Sequence, residues 1–318
     1  MPNQRMFTYK LYVLLALSIT LILGCDTNQA TEDNPLATQN VPKALLATRF
    51  QSLDDFKSTV QIEYFNACDK EDTCIESKVI LHYQDAGKSI VSELSSGITQ
   101  RDITASKDGD FWDKANLVWQ TPYGIRSRIE LNKIYTLARI RPDIFGYGDV
   151  AFYNLAEASL ANIITPDLAF KTPKDASEKG YINTFNHVTA QVLITALFSK
   201  EVADYIADVH ELMSMPELTT GRFSDKQLQD TLNYPVDNYV DMLNNEIGQE
   251  IGLRLKEKYN LTSTTTWTPE LTASFLNDIQ SFYMWSFGFA MKPYTQEDEL
   301  ILKFTHKINK VSQMVLAD

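Results

Sequence analysis

The stretch 269–291 is apolar nearly all the way round a helix, which obliges the chain to build other helices about it. Leu271, Phe275, Ile279, Phe282 and Phe289 form one stripe at helical spacing, while Tyr283, Trp285 and Phe287 lie off it. A helix with no polar face belongs at the centre of a bundle. Its start is marked by Thr268-Pro269, a cap followed by proline at the first helical position. An aromatic core is the simplest use of these rings, and an acyl-binding groove is the alternative. Upstream, after Gly146 and Gly148, three- and four-residue spacing predicts helices over 150–164, 183–199, 201–213 and 235–259. Thr295, with Asp298 three residues on, reads as a capping box that opens a last helix.

Residues 46–143 read differently. Val60, Ile62 and Tyr64 alternate with polar residues as in a half-buried strand, and Val79-Ile80-Leu81 is a second short apolar run. Phe50, Leu53, Phe56 and Val60 also fit a helical stripe, and 88–94, 117–119 and 125–140 fit either period. The expected fold is α+β: a small mixed region over 46–143, then a helical domain over 144–318 that dominates the chain.

The N-terminus supplies an address. Arg5 and Lys10 precede an uncharged apolar run, Leu11 to Leu23, and the chain turns polar after Gly24-Cys25. That run is shorter than the roughly 20 residues a spanning helix needs, so residues 1–24 read as a signal peptide. Ile22-Leu23-Gly24-Cys25 resembles the bacterial lipobox, with Leu23 bulkier than the usual residue. The resemblance implies cleavage before Cys25, acylation of its thiol, and a membrane lipoprotein; Asp26 implies retention on the periplasmic side of the cytoplasmic membrane, the outer membrane being the alternative. Several acyl chains hold a protein where one is marginal. Residues 25–45, polar with two prolines, are the expected tether. Cys68 and Cys74, five residues apart in an oxidising compartment, are the expected disulfide.

A formal charge of −12 argues against nucleic acid and against electrostatic docking on anionic lipid. The expected partners are the membrane, through the lipid anchor, and a periplasmic protein.

Three polar runs interrupt the apolar helices: Asn183-Thr184-Phe185-Asn186-His187, Asp208-Val209-His210-Glu211, and Asp241-Met242-Leu243-Asn244-Asn245-Glu246-Ile247-Gly248. Asp204, Asp208 and Glu211 share one helix face, and so do Asp237, Asp241, Asn244 or Asn245, and Gly248. A glycine in mid-helix costs about 1 kcal/mol against alanine, so Gly248 signals close approach of a backbone or ligand. Facing stripes of this kind build polar sites inside bundles.

The order of the runs resembles a widespread, largely uncharacterised bacterial helical domain family marked by N-A-F-R-H, G-D-A-H-E and D-L-x-N-N-x-x-G runs. Asn183, Phe185 and His187 match the first, Asp208, His210 and Glu211 the second, and Asp241, Asn244, Asn245 and Gly248 the third, over roughly 145–259. Asn186 and Gln249 stand where the family has arginines. The resemblance implies a shared helical fold and polar cluster, with no established reaction.

Two chemistries fit the cluster. His187 and His210 with Glu211 or Asp241 suit a divalent metal with an open position for water, and a neighbouring carboxylate would then act as base in hydrolysis of envelope phospholipid or peptidoglycan. The same groups also satisfy one another as a buried hydrogen-bonded network, which suits a binding or interaction protein. The expectation favours the network, with the hydrolase as alternative. Other chemistries are excluded more firmly. Ser214 stands where a zinc peptidase's second histidine belongs, His82 stands where a phosphate loop ending in Ala86-Gly87-Lys88-Ser89 needs glycine, and no G-x-S-x-G elbow occurs.

Overall fold

The computed structural model describes residues 38–66, 77–229 and 235–314. Cys25, Cys68 and Cys74, and with them the lipidation and disulfide readings, lie outside the described residues. Leu36–Asp318 forms one compact unit, α+β and dominated by helix. The regions 46–143 and 144–318 contribute to a single hydrophobic core.

Three strands, β1 (Val60–Asn66), β2 (Ser77–Asp85) and β3 (Lys88–Ser95), form an antiparallel sheet in that order. Register puts Val60, Tyr83 and Ile90 abreast, then Ile62, Leu81 and Ser92, then Tyr64, Val79 and Leu94. These residues share one face, and most of them are buried. The Ala86-Gly87 pair that imitates a phosphate loop is the β2–β3 hairpin turn. Both residues have positive φ (48° and 77°), as the primed turns that suit twisted hairpins require. The stretch 88–94, which either period fits, is therefore strand.

The helices of nine or more residues are α1 (Gln100–Asp108), α2 (Phe111–Gln120), α3 (Arg128–Ala138), α4 (Phe152–Ala161), α5 (Asn183–Leu197), α6 (Lys200–Glu211), α7 (Val236–Lys258), α8 (Pro269–Phe287) and α9 (Glu299–Gln313). The stretch 117–119 falls in α2, and most of 125–140 in α3. The last helix begins later than the capping-box reading has it. Asp298 is its N-cap and reaches back to accept a hydrogen bond from the Thr295 N–H. The helix expected to be central is α8, with Phe275, Ile279, Phe282 and Tyr283 buried along it. Phe185 of α5 stacks on Tyr283 at 4.0 Å between ring centroids, so the aromatic run is core.

The most extensive helix–helix contact is between α5 and α7. Gly248 and Gly252, one turn apart on α7, have no side chain to hold the helices off. A Cβ on Gly248 would lie 2.8 Å from the Val188 carbonyl oxygen and from the Gln191 Cβ. The close approach expected at Gly248 is that of the α5 backbone.

The expected tether over 25–45 ends earlier than its composition suggests. Val41, Ala44 and Leu45 are buried. Asn244 holds this segment: its Oδ1 accepts from the Leu45 N–H at 2.9 Å and its Nδ2 donates to the Leu45 carbonyl at 2.9 Å. Thr184 donates to the same carbonyl. An irregular segment inside a core needs its backbone polar groups satisfied, and Asn244 does what a neighbouring strand would do.

Candidate functional site

The cluster gathers where α5, α6 and α7 meet. His187 sits one turn into α5, Glu211 ends α6 with His210 beside it, and Asp237, Asp241 and Asn245 lie at four-residue spacing along the buried face of α7. Asn183, one turn before His187, donates Nδ2 to both Asp241 oxygens at 2.9 and 3.1 Å. A π turn over Glu178–Ile182 precedes α5 and sends Lys179 to Asp237, 3.1 Å away. Local π geometry recurs near functional sites because it re-aims side chains.

His187 is the hub. Its Nδ1 lies 2.9 Å from Asn245 Oδ1 and 3.7 Å from Glu211 Oε1, and its Nε2 lies 3.4 Å from Asp241 Oδ2. Asn245 also donates Nδ2 to Glu211 Oε1 at 3.0 Å. With Asn245 oriented this way, Nδ1 carries the proton and gives it to Asn245. The Nε2 lone pair then faces Asp241, which is tolerable only if Asp241 holds a proton there.

The electrostatics agree. Burial, opposed by Asn183 and Lys179, pushes the Asp241 carboxyl up to about 7. Asp237 rises to about 6, first by burial and then by Asp241. Glu211 is pushed well above the usual carboxylate range by burial and then by Asp241. His187 is pushed down by burial, against its bond to Asn245. Three carboxyls that resist ionising, around a histidine that resists charging, form a site short of positive charge.

His210 and Glu211 face the same space as His187. One ligand atom from each of the three lies within 4.8 Å of the others. His210 Nδ1 is 3.2 Å from Gln100 Oε1 at the start of α1, an arrangement that puts the proton on Nδ1 and leaves Nε2 with a lone pair. A partner on the second ring nitrogen is the usual way a metal-binding histidine is oriented. The ring of His210 is exposed; the protein around it, then His187 and Arg139, push its pKa down.

These three residues line one wall of a cleft of about 310 Å3. Ile134 and Ala138 of α3, Phe152 of α4, Ile194 of α5 and Ile206 of α6 give it apolar sides, and Asn186, Gln191 and Asn245 add polar groups. Arg139 lines it too.

The structure thus brings together His187, His210, Glu211, Asp241, Asn183 and Asn245. It places the other two candidates elsewhere. Asn244 is turned about 100° round the helix from Asn245 and clamps Leu45, since consecutive helical residues do not share a face. Asp208 is exposed in a separate groove with Lys200, Asp204 and Glu246, one turn before the cluster on α6. Lys179, Gln100 and Arg139 escape sequence reasoning. Lys179 lies in a turn without periodicity, Gln100 lies between the ambiguous stretches 88–94 and 117–119, and Arg139 lies within 125–140, where the two periods cannot be told apart. Gln249 accepts from Lys200 Nζ at 2.6 Å.

The buried carboxyls make a pH-dependent expectation. A carboxyl raised in the fold favours folding below its unfolded value near 4, and that contribution is lost as pH rises through about 7 for Asp241. Asp241→Asn keeps the shape and removes the charge. In cation-free buffer the variant should match the native protein near pH 4 and exceed it by about 4 kcal/mol at pH 8, since a carboxyl raised from about 4 to about 7 changes its proton affinity about a thousandfold and each tenfold is worth about 1.36 kcal/mol. Denaturant midpoints across that range measure the difference. A constant difference, or one that shrinks with pH, would mean that Asp241 ionises freely.

Among the described residues no helix is long and apolar enough to cross a membrane. Comparison with family models, with curated proteins and with solved structures finds no match, so the resemblance of the three polar runs rests on those runs alone.

Proposed function

We propose that the protein is an envelope lipoprotein that takes up one divalent cation of the zinc class at His187, His210 and Glu211, and that the centre serves metal-assisted hydrolysis of an amphiphilic acyl ester. The observation that carries this reading is the position of the three ligand atoms, within 4.8 Å of one another on the wall of a cleft with apolar sides. Two histidines and one carboxylate are a common catalytic ligand set for zinc, and such an ion would supply an open coordination position for water. A cation also answers the shortage of positive charge among Glu211, Asp237 and Asp241.

The chain's own residues do the rest. Gln100 holds His210 in the tautomer that leaves Nε2 available. For His187 to bind through Nδ1, that nitrogen gives up its proton and Asn245 turns aside, while Nε2–H then donates to an ionised Asp241. Binding should therefore release protons near pH 7. The apolar walls accept a hydrocarbon chain and Arg139 an anionic group, which favours phospholipid over peptidoglycan as the substrate class.

A second reading has its own observation. Asn245 already joins His187 to Glu211, closing the network without a cation. Such a network would fix how α5, α6 and α7 meet, as suits a protein that binds a partner.

Elemental analysis of the 36–318 unit, purified without chelator or histidine tag, separates the two. The metal centre predicts close to one zinc or similar ion per chain, and loss of it in His187→Ala and in His210→Ala, with melting temperature preserved in His210→Ala. A metal-free folded protein, unable to take up added zinc, selects the network.

A further inference from the structure

The helix α2 is turned the wrong way round for a globular protein. None of its residues is buried. Phe111, Trp112 and Trp119 are 74%, 75% and 87% exposed, and Val118 joins them on one face about a third of the circumference wide. The opposite face, with Asp113, Leu117 and Gln120, lines a pocket with Asp102, Ala105 and Ser106 of α1. The more polar face is thus turned toward the body and the aromatic face toward solvent. Nor is the helix a loosely formed turn. Asp110 caps it by accepting from the Trp112 and Asp113 N–H groups, and the Asp113 carboxylate accepts from the Asp110 N–H.

Large exposed aromatic patches mark contact surfaces. The residue types here narrow the occupant. Trp and Phe on a short amphipathic helix are what a membrane interface takes up, with the helix lying in the plane of the headgroups. Charge in this part of the chain does not oppose the contact. The chain is acidic overall, yet residues 100–141 hold eight basic side chains against five acidic ones. Reach is sufficient as well. Cys25 lies 13 residues before Thr38, a span of at most about 45 Å if fully extended, so a body tethered by that cysteine stays beside the bilayer.

We propose that α2 is an interfacial membrane-contact helix, seating Phe111, Trp112, Val118 and Trp119 among the headgroups of an anionic bilayer. The charge of the whole chain argues against docking on anionic lipid by electrostatics alone; here the aromatic face supplies the contact. The segment that carries α2 also supplies Gln100 to His210 and Arg139 to the cleft. The assignment of α2 does not depend on a metal at His187.

The test uses the 36–318 unit, which has its own core and carries no lipid, with vesicles of phosphatidylethanolamine and phosphatidylglycerol. Of the four tryptophans, Trp267 is buried and Trp285 half-buried, so a shift that the triple variant abolishes reports on Trp112 and Trp119. The expected result is co-sedimentation with vesicles and a blue shift in tryptophan emission. In the triple variant Phe111→Ser, Trp112→Ser, Trp119→Ser, partitioning should fall by about a hundredfold, because binding scales with apolar area buried. Its melting temperature should be unchanged, and His187→Ala should partition like the native chain. Failure of the native unit to bind at high lipid concentration would overturn the proposal, as would equal binding by the triple variant. So would self-association without lipid that the triple variant abolishes, which would make α2 an interface between copies of this chain.

Discussion

Lys307→Met should destabilise the protein by about 3–5 kcal/mol, as much as any single change outside the polar cluster, because it strands a buried charge. Lys307 lies on α9 and is almost completely buried, as is its partner Asp149 at 2.9 Å. Its ammonium has three protons and gives them to Asp149 Oδ2 and to the carbonyls of Arg139 and Val150. Asp149 in turn accepts from the Arg141 and Val150 N–H groups. This knot ties α9 to the segment between α3 and α4, both of which wall the cleft. Methionine fills the space but leaves two carbonyls and one carboxylate without their donor. Chemical denaturation of native and variant protein gives the loss directly. The paired variant Lys307→Met, Asp149→Asn should recover much of it, since it removes the stranded charge and keeps an amide oxygen for the Arg141 and Val150 N–H groups. A loss under about 1 kcal/mol in the single variant would mean that water reaches Asp149.

Gly248→Val should cost about 3 kcal/mol and lower the melting temperature by roughly ten degrees, given the roughly 2–4 °C per kcal/mol expected for large domains. The atoms in the way include the Val188 carbonyl oxygen, which is backbone, so α5 and α7 must separate along their length. Gly252 meets the Val192 carbonyl and Thr195 in the same manner one turn on. Separation also moves His187 away from Asn245 and Asp241. The variant should therefore lose cation uptake while still folded at low temperature. Thermal melts and metal content on one preparation test both parts; unaltered uptake with a lowered melting temperature would show that the site tolerates a shift of α5.

Much of this architecture is legible in the sequence because the helical periods are strong. The central place of α8 follows from its apolar surround, and Gly248 carries its own message. The sheet is half legible. Val60, Ile62 and Tyr64 alternate plainly, whereas Lys88–Ser95 is hidden by a hairpin turn built from alanine and glycine in place of asparagine and glycine. The site is legible in its residue types and less so in its membership. Helical spacing says that Asp208 and Glu211, or Asn244 and Asn245, are near one another along an axis. It does not say which neighbouring helix each will meet, and that separates the cluster residues Glu211 and Asn245 from Asp208 and Asn244. The cap on His210 is out of reach of sequence reasoning, because Gln100 is brought to it across 110 residues of chain. The outward face of α2 is equally hidden, since the same amphipathic pattern describes a helix facing either way.

The decisive measurement is a crystal structure of the 36–318 unit grown with zinc, with anomalous difference maps on both sides of the zinc absorption edge. A metal centre predicts one strong peak at the cleft wall, about 2.0–2.2 Å from nitrogens of His187 and His210 and from a Glu211 oxygen, with Asn245 turned away from His187. An empty cluster that keeps the bond between His187 and Asn245, with zinc absent or bound only among surface carboxylates such as Asp204 and Asp208, would contradict it and leave the three helices joined by a structural network.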